Sequence, residues 1–200
     1  MKKIRPLFRW IVLLATLLLV TVYYLPIWSI QLWAPQYPEG LEMLIWINNL
    51  SGNVDVINDL NHYIGMGKIN VDMFPEFGIM VYVLGFVIFF GVATFFVNKR
   101  FMLYLYSSLL IVAAVAALID FYKWEYHYGH TLNPMAAIII EGQSYQPPLL
   151  GYKVLLNFTA LSIPSIGGWI LFGSGFTLVF LSILELFKAR KERKKNSYHG

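Results

Sequence analysis

A chain of 200 residues that is 58% hydrophobic and only 13% charged, with a positive mean hydropathy, lies outside the range of soluble globular domains. The absence of cysteine excludes disulfides, thiolate metal centres, iron–sulfur clusters and Cys nucleophiles together. The formal charge of +4 does not imply a nucleic-acid partner, because the excess sits in clusters that flank apolar runs.

The first apolar run, Trp10–Trp33, follows Lys2, Lys3, Arg5 and Arg9. A basic start before an apolar run also describes a signal peptide. This run outlasts a usual signal core, however, and no small-x-small cleavage site follows it, which predicts an uncleaved anchor. Three further runs are predicted spans: 77–97, 101–122 and 166–187. Each has about 20 residues, enough at ~1.5 Å rise to cross a hydrocarbon core of ~30 Å. The expected fold class is a membrane all-α protein of one domain, four spans joined by two extracytoplasmic loops, 34–76 and 123–165.

Those loops are predicted to fold into a small mixed α/β cap. In the first, Leu41, Met43, Ile45 and Ile47 alternate with other residues as a half-buried strand does, ending at a turn over Ser51-Gly52-Asn53. Val54–Ile64 then carries Ile57, Leu60 and Ile64 at helical spacing, with Asn53 as N-cap. In the second loop Ala137–Ile140 is apolar and Tyr152–Ser162 reads as another strand. Stretches as apolar as Leu41–Ile47 and Ile138–Ile140 are expected to be buried against one another or at the interface.

Orientation follows from the cations. Twelve of the 15 Lys and Arg lie at the N-terminus, in the Asn98–Arg100 turn and in the tail from Lys188; only Lys68, Lys123 and Lys153 fall in the loops. The positive-inside rule then places both termini in the cytoplasm, and the expected location is a bacterial inner membrane. Span interiors carry no ionisable residue, which argues against a proton relay, an ion path or a haem held by two histidines within the bundle. Small residues do occur there: Ser107, Ser108, Ala113, Ala114, Ala116 and Ala117 in the third span, and Gly167, Gly168, Gly173 and Gly175 in the fourth. These predict close helix contacts.

The stretch Asn58–Phe77 concentrates ionisable, amide and sulfur-bearing side chains between apolar runs. Within it His62 and Met66 stand four apart and would share a helical face. His127 and His130 stand three apart beyond the third span. With Met43, Met73 and Met135 these form a His/Met set suited to copper, above all Cu(I). Asp120 or Glu125 is placed to orient a histidine if the third helix continues. The metal candidates are therefore His62, Met66, His127 and His130. The competing reading of the same residues is that the histidines hydrogen-bond locally and the methionines fill a core. No nucleophile elbow, zinc-protease motif or phosphate loop is present, so an enzyme is not expected.

The strings APQYPEGLEMLIW, INDLNHYIGM, PPLLG and NFTALSIPSIGG resemble a group of small four-span membrane proteins associated with the gene neighbourhood of nitrous-oxide reductase, a periplasmic copper enzyme. The resemblance covers most of the loops and helix entries. It implies a non-enzymatic accessory factor in denitrification that supports maturation or function of that enzyme, by docking to it or by transiently holding copper. The lipid bilayer and a periplasmic or membrane protein are the expected partners. An assembly subunit of a respiratory complex without its own metal is the alternative, and a membrane enzyme with an outer-face site is a third reading.

Overall fold

The computed structural model describes residues 2–140, 142 and 144–197, the side chains of 196 and 197 excepted. His199, Gly200 and Glu141 lie outside the described residues. The chain divides into two compact units. One gathers the start of the chain to Thr21, Tyr82–Ala114 and the chain from Ile170 on; the other comprises Val22–Val81 and Val115–Trp169.

Among the described residues four helices are long and apolar enough to cross a membrane. They are α1 (Pro6–Leu18, continued as a 3₁₀ helix over Leu19–Tyr24), α3 (Glu76–Val97), α4 (Arg100–His130) and α5 (Ile166–Ser197). In the helical unit, Gly91 of α3 has no Cβ where one would collide with Thr16 and Tyr106. Thr16 Oγ1 donates to Val12 O at 2.7 Å and lies 3.1 Å from the Tyr106 hydroxyl. Ser107 of α4 meets Ser182 of α5 at 2.7 Å, a close contact of the kind expected from its small side chain. Gly173 and Gly175 face open space instead, so they are not contact points within the chain. The α3–α4 turn is made by Asn98 in the left-handed region (φ 52°), which an Asn tolerates better than most residues.

The end of this unit where the chain begins is closed by a charge cluster. Glu185, fully buried, receives Arg5 at 2.8 Å and Arg100 at 2.7 Å, and Glu192 receives Arg100 at 3.0 Å and Lys2 at 2.6 Å. Arg9 donates to Phe95 O at 2.9 Å with its guanidinium over the Phe95 ring, so it caps the last turn of α3.

The other unit corrects the all-α expectation. It contains a five-stranded antiparallel sheet in the order β3-β2-β1-β5-β4, so the fold combines apolar helices with a sheet. The strands are β1 (Trp28–Ala34), β2 (Tyr37–Ile45), β3 (Leu50–Gly52), β4 (Gly151–Leu155) and β5 (Phe158–Pro164). β1 is the central strand, and it was expected to be the outer end of the first span. Pro26 removes a helical donor there, and Trp28-Ser29-Ile30-Gln31-Leu32 alternates with the period of a strand. β1 pairs with β2 on one side (Ile30 opposite Met43) and with β5 on the other (Ile30 opposite Ser162). The two inter-helix segments therefore build one sheet.

Strand boundaries also shift. The first strand of the loop starts at Tyr37 rather than Leu41, the chain reverses at Trp46–Asn49, and the predicted turn at Ser51-Gly52 is β3. The predicted strand over Tyr152–Ser162 is a hairpin that reverses at Leu156, whose φ of 57° is strained for a leucine. The helix after Asn53 runs Val54–Tyr63 (α2). Asn53 stands at the N-cap position as expected, its carbonyl accepting from Ile57 N at 3.0 Å, but its side chain makes no cap bond; its side-chain oxygen accepts instead from Glu42 N at 3.0 Å and ties α2 to β2.

Candidate functional site

The sheet has an apolar inner face. Trp28, Ile30 and Leu32 of β1 align with Ile45, Met43 and Leu41 of β2, and Ala160 of β5 extends the same face. α2 lays Ile57, Asn58 and Asn61 against this core. α4 continues eight residues beyond its expected end at Tyr122, and those turns enter the same core. Phe121, Trp124 and Tyr128 stand at helical spacing on one face. Phe121 meets the edge of Trp28 at 5.6 Å, and Trp124 lies between Phe74 (4.7 Å) and Tyr128 (4.8 Å).

Between these elements lies an apolar cavity of about 60 Å³, lined by residues including Ile30, Met43, Ile57, Met66, Trp124 and Tyr145. None of the side chains that line it carries a charge, so it offers an ionic ligand no counter-charge. Of the polar groups in its lining, Asn61 and Tyr128 are already engaged, whereas the buried Tyr145 hydroxyl has no hydrogen-bond partner. Asn61 Nδ2 donates to the Tyr128 hydroxyl at 2.7 Å, which donates to Gly67 O at 2.7 Å, and Asn61 O accepts from Met66 N at 2.9 Å. Asn58 makes two more bonds, donating to Ile69 O at 2.8 Å and accepting from Ile69 N at 2.7 Å. These amides pin the Gly65–Ile69 segment to α2. Gly65 (φ 78°) makes the reversal, with its carbonyl accepting from Asn133 N at 2.8 Å.

This geometry separates the predicted metal ligands. α2 ends at Tyr63, so His62 and Met66 do not share a helical face. His62 is exposed, whereas Met66 is 9% exposed and belongs to the apolar core. Met43 is buried in that core too, and Met135 is 87% exposed. His127 and His130 remain a turn apart on α4, both exposed. The His130 ring stacks on Tyr126 and its Nδ1 lies 2.8 Å from Tyr126 O; His127 Nδ1 lies 3.3 Å from the Thr131 hydroxyl. Neither Asp120 nor Glu125 is among the hydrogen-bond partners of these two rings, so the expected carboxylate–histidine support does not form. Among the described residues no three His, Asp or Glu side chains converge as a metal site requires. His62 and Met66 thus lack the shared helical face on which the copper reading places them.

Three features escaped the reading of the sequence. Asn58 and Asn61 occupy apolar-face positions of α2, and polar residues at such positions signal buried hydrogen bonds. Glu125 falls on the Phe121–Tyr128 face; it is fully buried, and neither carboxylate oxygen has a hydrogen-bond partner. Gly129 sits against the backbone of Gln146, where a Cβ would overlap main-chain atoms, and its carbonyl accepts from Tyr145 N at 2.9 Å. One apolar stretch is not packed within the chain, which leaves the membrane interface as its expected cover. Ile138, Ile139 and Ile140 are 47%, 61% and 44% exposed, although Ile138 N is bonded to Tyr63 O. Comparison with protein-family models, curated proteins and solved structures finds no match to this chain.

Proposed function

We propose that this protein is a non-enzymatic accessory factor of a bacterial inner membrane that docks to a periplasmic copper enzyme of the nitrous-oxide reductase type. In this reading both termini are cytoplasmic, and segments 34–76 and 123–165 face the periplasm. The Lys/Arg asymmetry supports the orientation, with twelve of 15 on the proposed inner side. The sequence resemblance in both loops supports the pathway.

One observation carries the choice of docking over copper holding: His62, His127 and His130 are exposed while Met66 is packed in the core of the sheet unit. A transient Cu(I) site needs its thioether and imidazole donors turned toward one point. The exposed apolar side chains Tyr63, Met135 and Ile138–Ile140 are of the kind a protein interface covers.

The experiment deletes the gene in a strain that makes the copper enzyme and measures that enzyme's copper content and activity. A loss restored by the full chain supports the accessory role, and unchanged enzyme contradicts it. Metal analysis of the purified chain after mild chelation separates the two modes. Docking predicts no bound copper; stoichiometric copper would favour ligation.

A further inference from the structure

Glu185 and Glu192 are the only acids in the helical unit, and seven residues apart they share one face of α5. Both are consumed internally by Lys2, Arg5 and Arg100. Of the α5 tail cations, Lys188 and Lys195 stand beside this acid face, three residues after Glu185 and Glu192, while Arg190, Lys191, Arg193 and Lys194 occupy the other faces. All six are exposed, and among the described residues none forms an ion pair. Immediately before them Ile183, Leu186 and Phe187 are exposed and apolar, at 42%, 43% and 61%. α5 thus changes from exposed hydrocarbon to exposed positive charge between Phe187 and Lys188, with the helix unbroken.

We propose that the Lys188–Lys195 turns of α5 are a binding site for the headgroups of anionic phospholipids. The change at Phe187 is what the boundary between acyl chains and phosphates demands of a helix that crosses it. Eight helical residues span ~12 Å, comparable to a Debye length of ~8–10 Å, so all six cations lie within the field of a charged leaflet. With both acids held in the clamp, no ion pair among the described residues of the unit engages these charges. A cluster of four to eight Lys and Arg directly beyond a span is the pattern that binds acidic lipid. The site rests on the reading of α5 as a membrane span.

The test uses the full chain reconstituted in vesicles of phosphatidylcholine with a minority of phosphatidylglycerol, then re-extracted in mild neutral detergent, with the co-extracted lipid quantified. The site predicts several-fold enrichment of phosphatidylglycerol that declines with added salt. Replacing all six cations with Gln, a strong helix former, should abolish the enrichment without releasing the protein on alkaline washing. Arg190→Lys with Arg193→Lys should retain it. Normal insertion with no enrichment, or equal enrichment in the six-Gln protein, overturns the site alone. Release of the wild-type chain by the alkaline wash overturns the span reading and the site with it.

Discussion

Tyr128 bridges two segments through one oxygen, accepting from Asn61 and donating to Gly67. Tyr128→Phe keeps the ring stacked on Trp124 but leaves the Asn61 amide and the Gly67 carbonyl unpaired, a loss of about 1–3 kcal/mol. Asn58→Ala strands both the N–H and the C=O of Ile69 and should cost at least as much; thermal unfolding of the detergent-solubilised protein measures both. Met66→Leu is the opposite case, since it conserves volume in an apolar wall and should shift stability by less than about 1.5 kcal/mol. Glu125 is buried with neither oxygen hydrogen-bonded and only the charge of Lys153 acting on it, so Glu125→Gln should leave stability unchanged or raise it; a large loss would reveal a role the geometry does not show. The Asn58–Phe77 stretch is legible in the sequence as a distinct segment, but the helical face expected to carry His62 and Met66 together does not form. His-x-x-x-Met suggests a ligand pair only on a continuous helix, and Gly65 ends that continuity. The amides that hold the segment were passed over because Asn carries no metal chemistry to attract notice.

Among the elements, α4 and β1 show what sequence periodicity does and does not disclose. α4 runs past its apolar stretch because Phe121, Trp124 and Tyr128 give it a second buried face, a pattern visible in the sequence once the helix is continued. β1 was hidden because Trp28–Trp33 follows an apolar helix without a polar break, and hydropathy does not distinguish strand from span. The hairpin turns at Leu156-Asn157, where a single Asn is the one turn residue and neither Gly nor Pro is present. Leu156 holds a left-handed conformation that costs a non-glycine residue ~1–2 kcal/mol. Leu156→Gly should therefore stabilise the sheet unit by up to about 1 kcal/mol, the gain being reduced by glycine's chain entropy. A fall in melting temperature would contradict that turn. In the helical unit, Glu185→Ala removes the shared partner of Arg5 and Arg100 from a fully buried position. Breaking a buried pair on one side costs about 3–5 kcal/mol. Glu192→Gln, at a partly exposed pair, should cost far less. Equal melting temperatures for the two variants would show that the clamp does not hold the helix ends.

For the whole molecule, the four apolar helices were plain in composition and length, and the sheet was only partly so. The alternation over Leu41–Ile47 marks a strand, of which Leu41–Ile45 lies in β2, but pairing between segments more than 100 residues apart leaves no mark in either segment alone. The absence of cysteine makes orientation directly measurable. A single cysteine at Asn49 should react with a membrane-impermeant maleimide in intact spheroplasts, and one at Lys99 only after lysis; the reverse pattern would invert the proposed orientation. The proposed function turns on whether the protein docks or carries copper. The most direct measurement is the copper content of the periplasmic copper enzyme in cells whose only copy of this chain carries His62→Gln, Met66→Leu, His127→Gln and His130→Gln together. Docking predicts near wild-type copper in the enzyme, with the deletion strain depleted. Depletion equal to the deletion strain, with the variant chain present at normal level in the membrane, would contradict it.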